Sequence, residues 1–546
     1  MKLFRKIQKW FENQENLYYL FLIILIVPNI VLCFTEPMPL VAKVCNVLLP
    51  FSIYHMIMSW SGNCGKTFWI LFPFLFFGAF QIVLLYLFGQ SVIAVDMFLN
   101  LVTTNPGEAL ELLDNLIPAI IIVVLLYIPA LILAAVAVSK KWKLSETFVH
   151  RERKRARITV IAGILSLVAA YLFDARYELK SDLYPANVCY NIALAFQRTA
   201  QTQHYAETSN DFTFQAKTTR PEKNREVYVM VIGETSRAAN WSIYGYNRNT
   251  NPELTKIKGL TAFSHVLTES NTTHKSVPML MSSVTAHDFN SIYRQKGIIT
   301  AFKEAGYRTA FFSNQRYNHS FIDFFGKEAD ICDFIKEDTG DGSYNPSDDE
   351  LLKLVAAELA ENASKQFIVL HTYGSHFNYR ERYPADNAFF LPDFPVDAEL
   401  KYKDNLINAY DNSIRYTDNF LARLIRMLQE QDIDTAMLYT SDHGEDIFDD
   451  DRHLFLHASP VPSYYQIHVP FLIWMSDNYR KNYPDFFKNA EINRQKNISS
   501  SASFFQTMLE LGGIDTPCRN DSLSVINASY TCLLYTSPSP RDLSTS

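Results

Sequence analysis

The sequence predicts an α/β soluble domain, a mainly parallel sheet flanked by helices, carried behind a membrane domain of five helices. Three observations carry this. Long apolar runs crowd into the first third of the chain. Beyond about Phe173, short apolar runs rich in β-branched residues alternate with helical patterns, which implies crossover units with helices on both faces of a sheet. Two of those runs end in acid-bearing motifs, at the strand ends where open α/β sheets bind ligands.

The apolar runs fall at 17–35, 39–60, 68–88, 116–138 and 158–173, each near the roughly 20 residues needed to cross hydrocarbon, with the last one short. The first is long, lacks a small-residue cleavage pattern and is followed by more spans, so it reads as retained in the mature protein. Lys2, Arg5, Lys6 and Lys9 precede it, Lys66 lies between the second and third runs, and a basic cluster from Lys140 to Arg157 lies between the fourth and fifth. Positive charge near span ends stays in the cytoplasm. All three basic segments then share one side, and everything after the fifth run lies on the other, which in a bacterium is the periplasm.

The expected organisation is a transmembrane domain over 1–173 with an outer loop at 89–115, a bridge over 174–226, and a soluble domain over 227–528. The bridge holds an interfacial helix across 184–203 and a polar linker from Asp211 to Glu226. The outer loop carries Asn100, Thr104 and Glu108 at a spacing of four, one face of a helix, although Pro106-Gly107 falls where it would break that helix. On spacing alone a solvated helix face is the better reading. The tail from 529 to 546 does not continue the domain's periodicity and is similar in wording to translated sequencing-adapter sequence, so it is expected to be non-native. Seven scattered cysteines show no metal-ligand spacing, and at most one bridge is expected.

In the soluble part, strands are expected at 227–232, 309–313, 366–372, 436–440 and 469–474, with helices at 297–305, 347–363, 402–431 and 501–511. Residues 227–232 (Val-Tyr-Val-Met-Val-Ile) suit a strand buried on both faces, and Gly233 ends it, so Glu234 sits at a strand's carboxyl end. The run 436–440 ends in Ser441-Asp442-His443-Gly444-Glu445. If these two strands are neighbours, Glu234, Asp442 and His443 converge. Two carboxylates and one imidazole suit a tetrahedral zinc with one position left for a reacting oxygen. Thr273, in the polar stretch Asn271–Pro278, is the candidate for that oxygen. Taken singly, a loop threonine most often bonds its own backbone, and acids in such places are often helix caps. Their position at the ends of buried strands, beside Gly233 and Gly444, favours a site.

At these residues the chain resembles a known family. Gly-Glu-Thr-Ser-Arg at 233–237, Ile243-Tyr244-Gly245-Tyr246, Thr273 with Ser276-Val277-Pro278, His371 through His376, Asn408-Ala409-Tyr410-Asp411-Asn412 and Ser441–Glu445 are similar to the phosphoethanolamine transferases. These include the lipid A modifying and mobile colistin-resistance enzymes, whose outer domain resembles alkaline phosphatase and the sulfatases. The likeness runs from the first span to about residue 515. The resemblance implies an alkaline-phosphatase-like fold, a catalytic zinc held by Glu234, Thr273, Asp442 and His443, and Thr273 as nucleophile. A free threonine hydroxyl is a poor nucleophile, and coordination to zinc would favour its alkoxide.

His376 and His457 match family positions that contact the phosphoryl group or a second zinc. His453 is expected at the surface, and His371 in the core as the end of a buried strand. His319 stands where relatives carry a lysine, and Arg316 is the candidate replacement cation. No cysteine lies near Thr273, so a disulfide found in that loop in many relatives is absent. Asn100, Thr104 and Glu108 match positions that bear on the donor headgroup.

The resemblance implies a monomeric inner-membrane enzyme moving phosphoethanolamine from phosphatidylethanolamine to lipid A or another envelope glycolipid through an ester on Thr273, with polymyxin resistance as the phenotype. The alternatives are a phosphoglycerol transferase, or transfer to a core sugar or glycan. A true sulfatase would need a Cys-x-Pro-x-Arg setting, which Thr273–Pro278 does not provide. A sensor built on a dead enzyme would be expected to have lost its ligands. Nucleic-acid binding has no support, because the soluble part is mildly acidic and lacks a basic stripe.

Overall fold

The structure, a computed structural model, describes residues 10–36, 38–88, 93, 106–175, 177–222, 225–317, 320–336, 345–451, 453–459 and 461–531. The chain divides into two compact units, Met1–Leu101 with Leu112–Gln197, and Val102–Glu111 with Arg198–Ser546.

The first unit contains α1 (Gln14–Thr35), α2 (Leu40–Met58), α3 (Cys64–Ile70), α4 (Phe72–Phe88), α5 (Pro106–Ser139) and α6 (Glu146–Phe173), followed by α7 (Ala186–Gln203), which runs on into the second unit. Among the described residues four helices are long and apolar enough to cross a membrane, or five if α3 and α4, bent by 62°, count as one span. Pro73 sits at that bend, where it lacks an N–H to donate and disfavours helical geometry in the residue before it. The run expected to be short, 158–173, belongs to a helix of 28 residues. Ser145 caps it by accepting from the Phe148 N–H, and the part of the basic cluster from Arg151 to Arg157 lies within the helix. Within that cluster Glu152 is buried, 3.3 Å from His55 Nε2 and 2.9 Å from Arg155 Nη1. Pro106 is the first described residue of α5, a place where its missing N–H costs nothing.

The second unit is built on a seven-stranded sheet. In chain order its strands are β1 (Glu226–Gly233), β2 (Leu260–Phe263), β3 (Arg308–Ser313), β4 (Ile331–Phe334), β5 (Lys365–His371), β6 (Asp434–Ser441) and β7 (Phe471–Met475). Their order across the sheet is β2-β7-β6-β1-β5-β3-β4. Alternation along β1 divides the core. Tyr228, Met230 and Ile232 pack on one face with α8 (Thr273–Leu280), α9 (Ile298–Glu304) and the helix Ser500–Leu511. Val227, Val229 and Val231 pack on the other with α10 (Asp349–Ala360) and α11 (Lys403–Gln429).

The sheet is parallel from β6 through β4, as expected, but β7 runs antiparallel to both β6 and β2. Between β6 and β7 the described chain holds two-residue strands and one four-residue helix in place of a crossover helix, in keeping with an antiparallel return. The short strands β2 and β4 were not expected; each has only four residues.

The expected linker is also different. Lys217–Thr218 pairs antiparallel with Ile514–Asp515, Phe214 is buried, and the Arg220 guanidinium donates to Leu511 O at 2.8 Å and to the Tyr479 hydroxyl at 3.0 Å. Two aromatic side chains, Phe212 and Phe214, join the core and hold a stretch whose overall polarity reads as solvated. Of the expected tail, Tyr530 is buried, its hydroxyl donating to Asn497 O, while 532–546 lie outside the described residues. The cysteines among the described residues are all free.

The core makes one stability prediction. Phe302 of α9 is fully buried and stacks on Phe367 of β5, with ring centres 3.7 Å apart. Phe302→Ala is expected to cost about 3–5 kcal/mol of soluble-unit stability, read from the shift of its denaturant transition.

Candidate active site

Register places the site. β1 pairs in parallel with β6 so that Ile232 faces Thr440 and Gly233 faces Ser441, while on the other side Ile232 faces His371 of β5. The next residues, Glu234 and Asp442, therefore emerge side by side at the carboxyl edge of the two central strands. Both are buried, as is His443. The His443 Nε2 atom lies 3.4 Å from Glu234 Oε1 and 3.3 Å from Asp442 Oδ2. Thr273, half-buried, is the first residue of α8, which brings its hydroxyl to the same point. Its Oγ1 is 3.1 Å from Glu234 Oε1, 3.3 Å from Oε2 and 3.1 Å from His443 Nε2.

Each of these groups is held from behind. His443 Nδ1 is 2.9 Å from Gly444 O, which fixes the proton there and turns the lone pair of Nε2 toward the carboxylates. Asp442 Oδ1 accepts from the N–H groups of Thr235 and His443, and its Oδ2 accepts from the Ser276 hydroxyl at 3.3 Å. Glu234 Oε1 accepts from the Thr235 hydroxyl at 2.7 Å, and Gln315 donates to both Glu234 Oε2 and Thr372 O. Gly374, at a φ of +52°, passes so close that an added Cβ would lie 2.5 Å from Glu234 O. No larger residue fits there without moving the Glu234 backbone. Asp348 fixes that turn by accepting from the N–H groups of Tyr373 and Gly374.

Charge explains what the arrangement needs. Burial, reinforced by the Asp442 carboxylate, pushes the Glu234 carboxyl well above its ordinary range. Burial holds His443 below the usual imidazole value, so its ring is neutral and able to bind a cation. Glu234, Asp442 and His443 each offer one ligand atom, and those atoms all lie within 4.8 Å of one another. Two carboxylates and a neutral imidazole, desolvated together, are a fitting donor set for a divalent metal ion.

Around this centre the structure brings some of the other candidates together. The His457 ring centre is 4.1 Å from that of His443, its Nδ1 is 3.1 Å from Glu445 Oε1, and the His376 ring lies 6.0 Å from it. Burial holds His376 well below the usual imidazole value. His453 is exposed, and no helix joins it to His457; Phe455–Leu456 between them is a short strand. His371 is fully buried beside Ser313, with burial pushing it down to about 4. Arg316 follows Gln315 in the same loop and is half-buried. His319, Asn100 and Thr104 lie outside the described residues, as does the side chain of Glu108, whose backbone belongs to α5.

Sequence reasoning assigned no role to Gln315 or Asp348, nor to Ser276 and Glu445, which stand within the quoted motifs. Gln315 follows the carboxyl end of β3, so the rule that pointed to Glu234 and Asp442 also applied to it.

A family model described as Sulfatase matches residues 226–514. The chain belongs to the sulfatase family. Among curated members it is 30% identical over 341 residues to the Kdo(2)-lipid A phosphoethanolamine 7''-transferase of Escherichia coli K12, a match covering 60% of this chain and 54% of that enzyme. The chain thus spans about half the length of the first curated relatives it matches. The integral membrane lipooligosaccharide phosphoethanolamine transferase A (EptA) of Neisseria meningitidis superposes with a TM-score of 0.74 at 20% identity, covering 93% of this chain and 97% of that one. The two therefore share a fold across both units. The periplasmic domain of EcEptC from E. coli, solved in complex with Zn, superposes with a TM-score of 0.53 at 25% identity over 58% of this chain and 90% of that one. With its apolar helices, this sulfatase-family chain is an inner-membrane protein whose soluble domain lies in the periplasm.

The sign of the Glu234 shift gives a pH prediction. Without a metal, the fold keeps a proton on this raised carboxyl that the unfolded chain gives up, so stability falls as pH rises above the ordinary carboxylate range. Glu445, raised by burial, adds to the fall. In chelator, Glu234→Gln is expected to flatten the fall by up to about 1.4 kcal/mol per pH unit. Divalent metal should stabilise the wild type and not the variant. Melting curves from about pH 5 to 8, with and without metal, check both.

Proposed function

We propose that this sulfatase-family chain is a zinc-dependent phosphoethanolamine transferase. It takes the group from phosphatidylethanolamine and gives it to lipid A, or to another glycolipid of the envelope. The observation that carries this reading is the Thr273 hydroxyl, 3.1 Å from both Glu234 Oε1 and His443 Nε2, at the mouth of a buried set of metal-binding groups. The relatives' printed activities supply the transferred group, and the Zn complex of EcEptC supplies the metal. Zinc held by Glu234, Asp442 and His443 would lower the pKa of a hydroxyl beside it and polarise a phosphoryl oxygen.

The rest falls to the chain's own groups. Thr273 Oγ1 attacks the phosphorus of phosphatidylethanolamine, and the bond to the glycerol oxygen breaks. Diacylglycerol leaves, and phosphoethanolamine remains as an ester on Thr273. An acceptor oxygen then attacks the same phosphorus and frees the threonine, so one site serves two bulky lipids in turn. Glu234, 3.1–3.3 Å from Oγ1, is placed to take the hydroxyl proton. His376 and His457 are assigned to the phosphoryl group, with His457 protonating the departing oxygen. The amino end of α8, where Thr273 sits, favours the negative charge of the phosphoryl group. Arg316 and His319 are assigned to the phosphate, and Asn100, Thr104 and Glu108 to the donor headgroup. Adding an ethanolamine ammonium to a lipid phosphate weakens the pull of that surface on cationic peptides, which makes polymyxin resistance the expected phenotype.

Cells expressing the wild type are expected to show lipid A carrying one added phosphoethanolamine by mass spectrometry. Thr273→Ala should reduce that species at least a hundredfold without changing the protein's level in the membrane. Identical lipid A spectra from the two would reject the lipid A acceptor.

A further inference from the structure

In the soluble unit, large apolar side chains are rarely exposed, yet Phe389, Leu391, Phe394 and Leu400 are 58%, 66%, 70% and 51% exposed within one short segment. The other exposed ones in this unit are scattered from Tyr317 to Ile492. A loop that is merely loose would hide such side chains by folding over. This one is held open. Asn412 Oδ1 accepts from the N–H groups of Phe389 and Phe390 and its Nδ2 donates to Phe390 O; Asn408 donates to Pro392 O and Asn405 to Pro395 O. The three asparagines lie at i, i+3 and i+7 on one face of α11, so a rigid helix grips the loop by its main chain. Asp393 is held by the Tyr383 hydroxyl at 2.8 Å and Arg380 at 3.0 Å, and Val396 is buried in the core as an anchor. Beneath the outward rings lie two guanidinium planes, Arg415 at 4.1 Å from the Phe389 ring centre and Arg248 at 3.9 Å from that of Phe390.

We propose that residues 389–400 are a membrane-docking loop: Phe389, Leu391, Phe394 and Leu400 enter the boundary between headgroups and acyl chains, and Arg415 sits at the lipid phosphates, while Arg248, paired with Asp411, props the loop from beneath. A lipid surface is the occupant that fits. The chain carries its own membrane helices, so a bilayer is the apolar surface held at highest effective concentration around this loop. Phenylalanine and leucine backed by arginine is the pattern of side chains that settle at an interface, with the apolar part in and the charge at the headgroups. The grip on the backbone means that inserting the loop orders nothing further. The helix that holds the loop also holds the catalytic turn, since the Tyr410 hydroxyl donates to Thr235 O and accepts from the Arg237 N–H. The proposal rests on the lipid-transferase reading only for its purpose: a docked loop would keep the site at the depth of its lipid substrates.

The test does not use activity. A photoreactive p-benzoylphenylalanine is placed at Phe389, Phe394, Ile492 or Ile121 of the full-length protein in native membranes, which are irradiated and analysed by mass spectrometry. Ile121, in a membrane helix, reports that lipid capture works, and Ile492, 60% exposed elsewhere on the soluble unit, reports background. Lipid adducts at 389 and 394 at least tenfold above those at 492 are expected, and their masses separate phospholipid from glycolipid. Adducts to a second copy or another protein, or lipid yields no higher than at 492, would overturn the docking loop. Lipid capture at the loop by the Thr273→Ala variant, whose transfer should be lost, keeps failure of this proposal separate from failure of the transferase reading.

Discussion

Parallel pairing of β1 with β6 drives two carboxylates to one point inside the protein, and the repulsion that follows is the constraint to which the rest of the soluble domain answers. Desolvated acids so close cannot both keep their charge unless a cation joins them. The domain supplies what a cation needs: a neutral imidazole turned the right way by Gly444 O, and amide, hydroxyl and backbone donors that steady the carboxylates from the far side. Among the central residues Glu234, Asp442 and His443 are buried and Thr273 alone is half-buried.

The loops around that point are tied to one another more than to the sheet. Asn271, two residues before Thr273, donates to Ser459 O and Gln466 Oε1, which joins the threonine's loop to the one that carries His457. Arg237 Nη1 reaches Glu445 O and Asp449, and Asp411 of α11 gathers Asn240, Tyr246 and Arg248. The motifs Gly-Glu-Thr-Ser-Arg, Ile-Tyr-Gly-Tyr and Asn-Ala-Tyr-Asp-Asn thus form one buried polar network that fixes loops no hydrophobic contact could place this closely.

The α/β fold was legible because buried parallel strands are written as unbroken apolar runs, and β1, β3, β5 and β6 begin and end within two residues of where those runs do. The four-residue strands β2 and β4 carry too little pattern to be seen, and an apolar run such as β7 does not itself tell its direction in the sheet. At the site, the proximity of Glu234, Asp442 and His443 could be read from motif and strand end together. The strand-end rule also reached Gln315, but which group its amide would meet depends on the register of β3 against β5, which the sequence does not show. His453 is exposed, as expected, and although it lies four residues from His457, positive φ at His453 and Leu456 turns the chain away from any helix.

The pairing of Lys217–Thr218 with Ile514–Asp515 sews the stretch before β1 to the stretch that follows the helix Ser500–Leu511. A fragment cut at 227, where hydropathy alone would start it, would strip Arg220 from the carbonyls that end the helix Ser500–Leu511 and uncover the aromatic rings beneath Phe214. Such a truncation would be prone to aggregate even with every group of the Glu234–Asp442–His443 cluster still present. A soluble version of this protein, for crystallisation or inhibitor screening, should therefore begin upstream of Asp211.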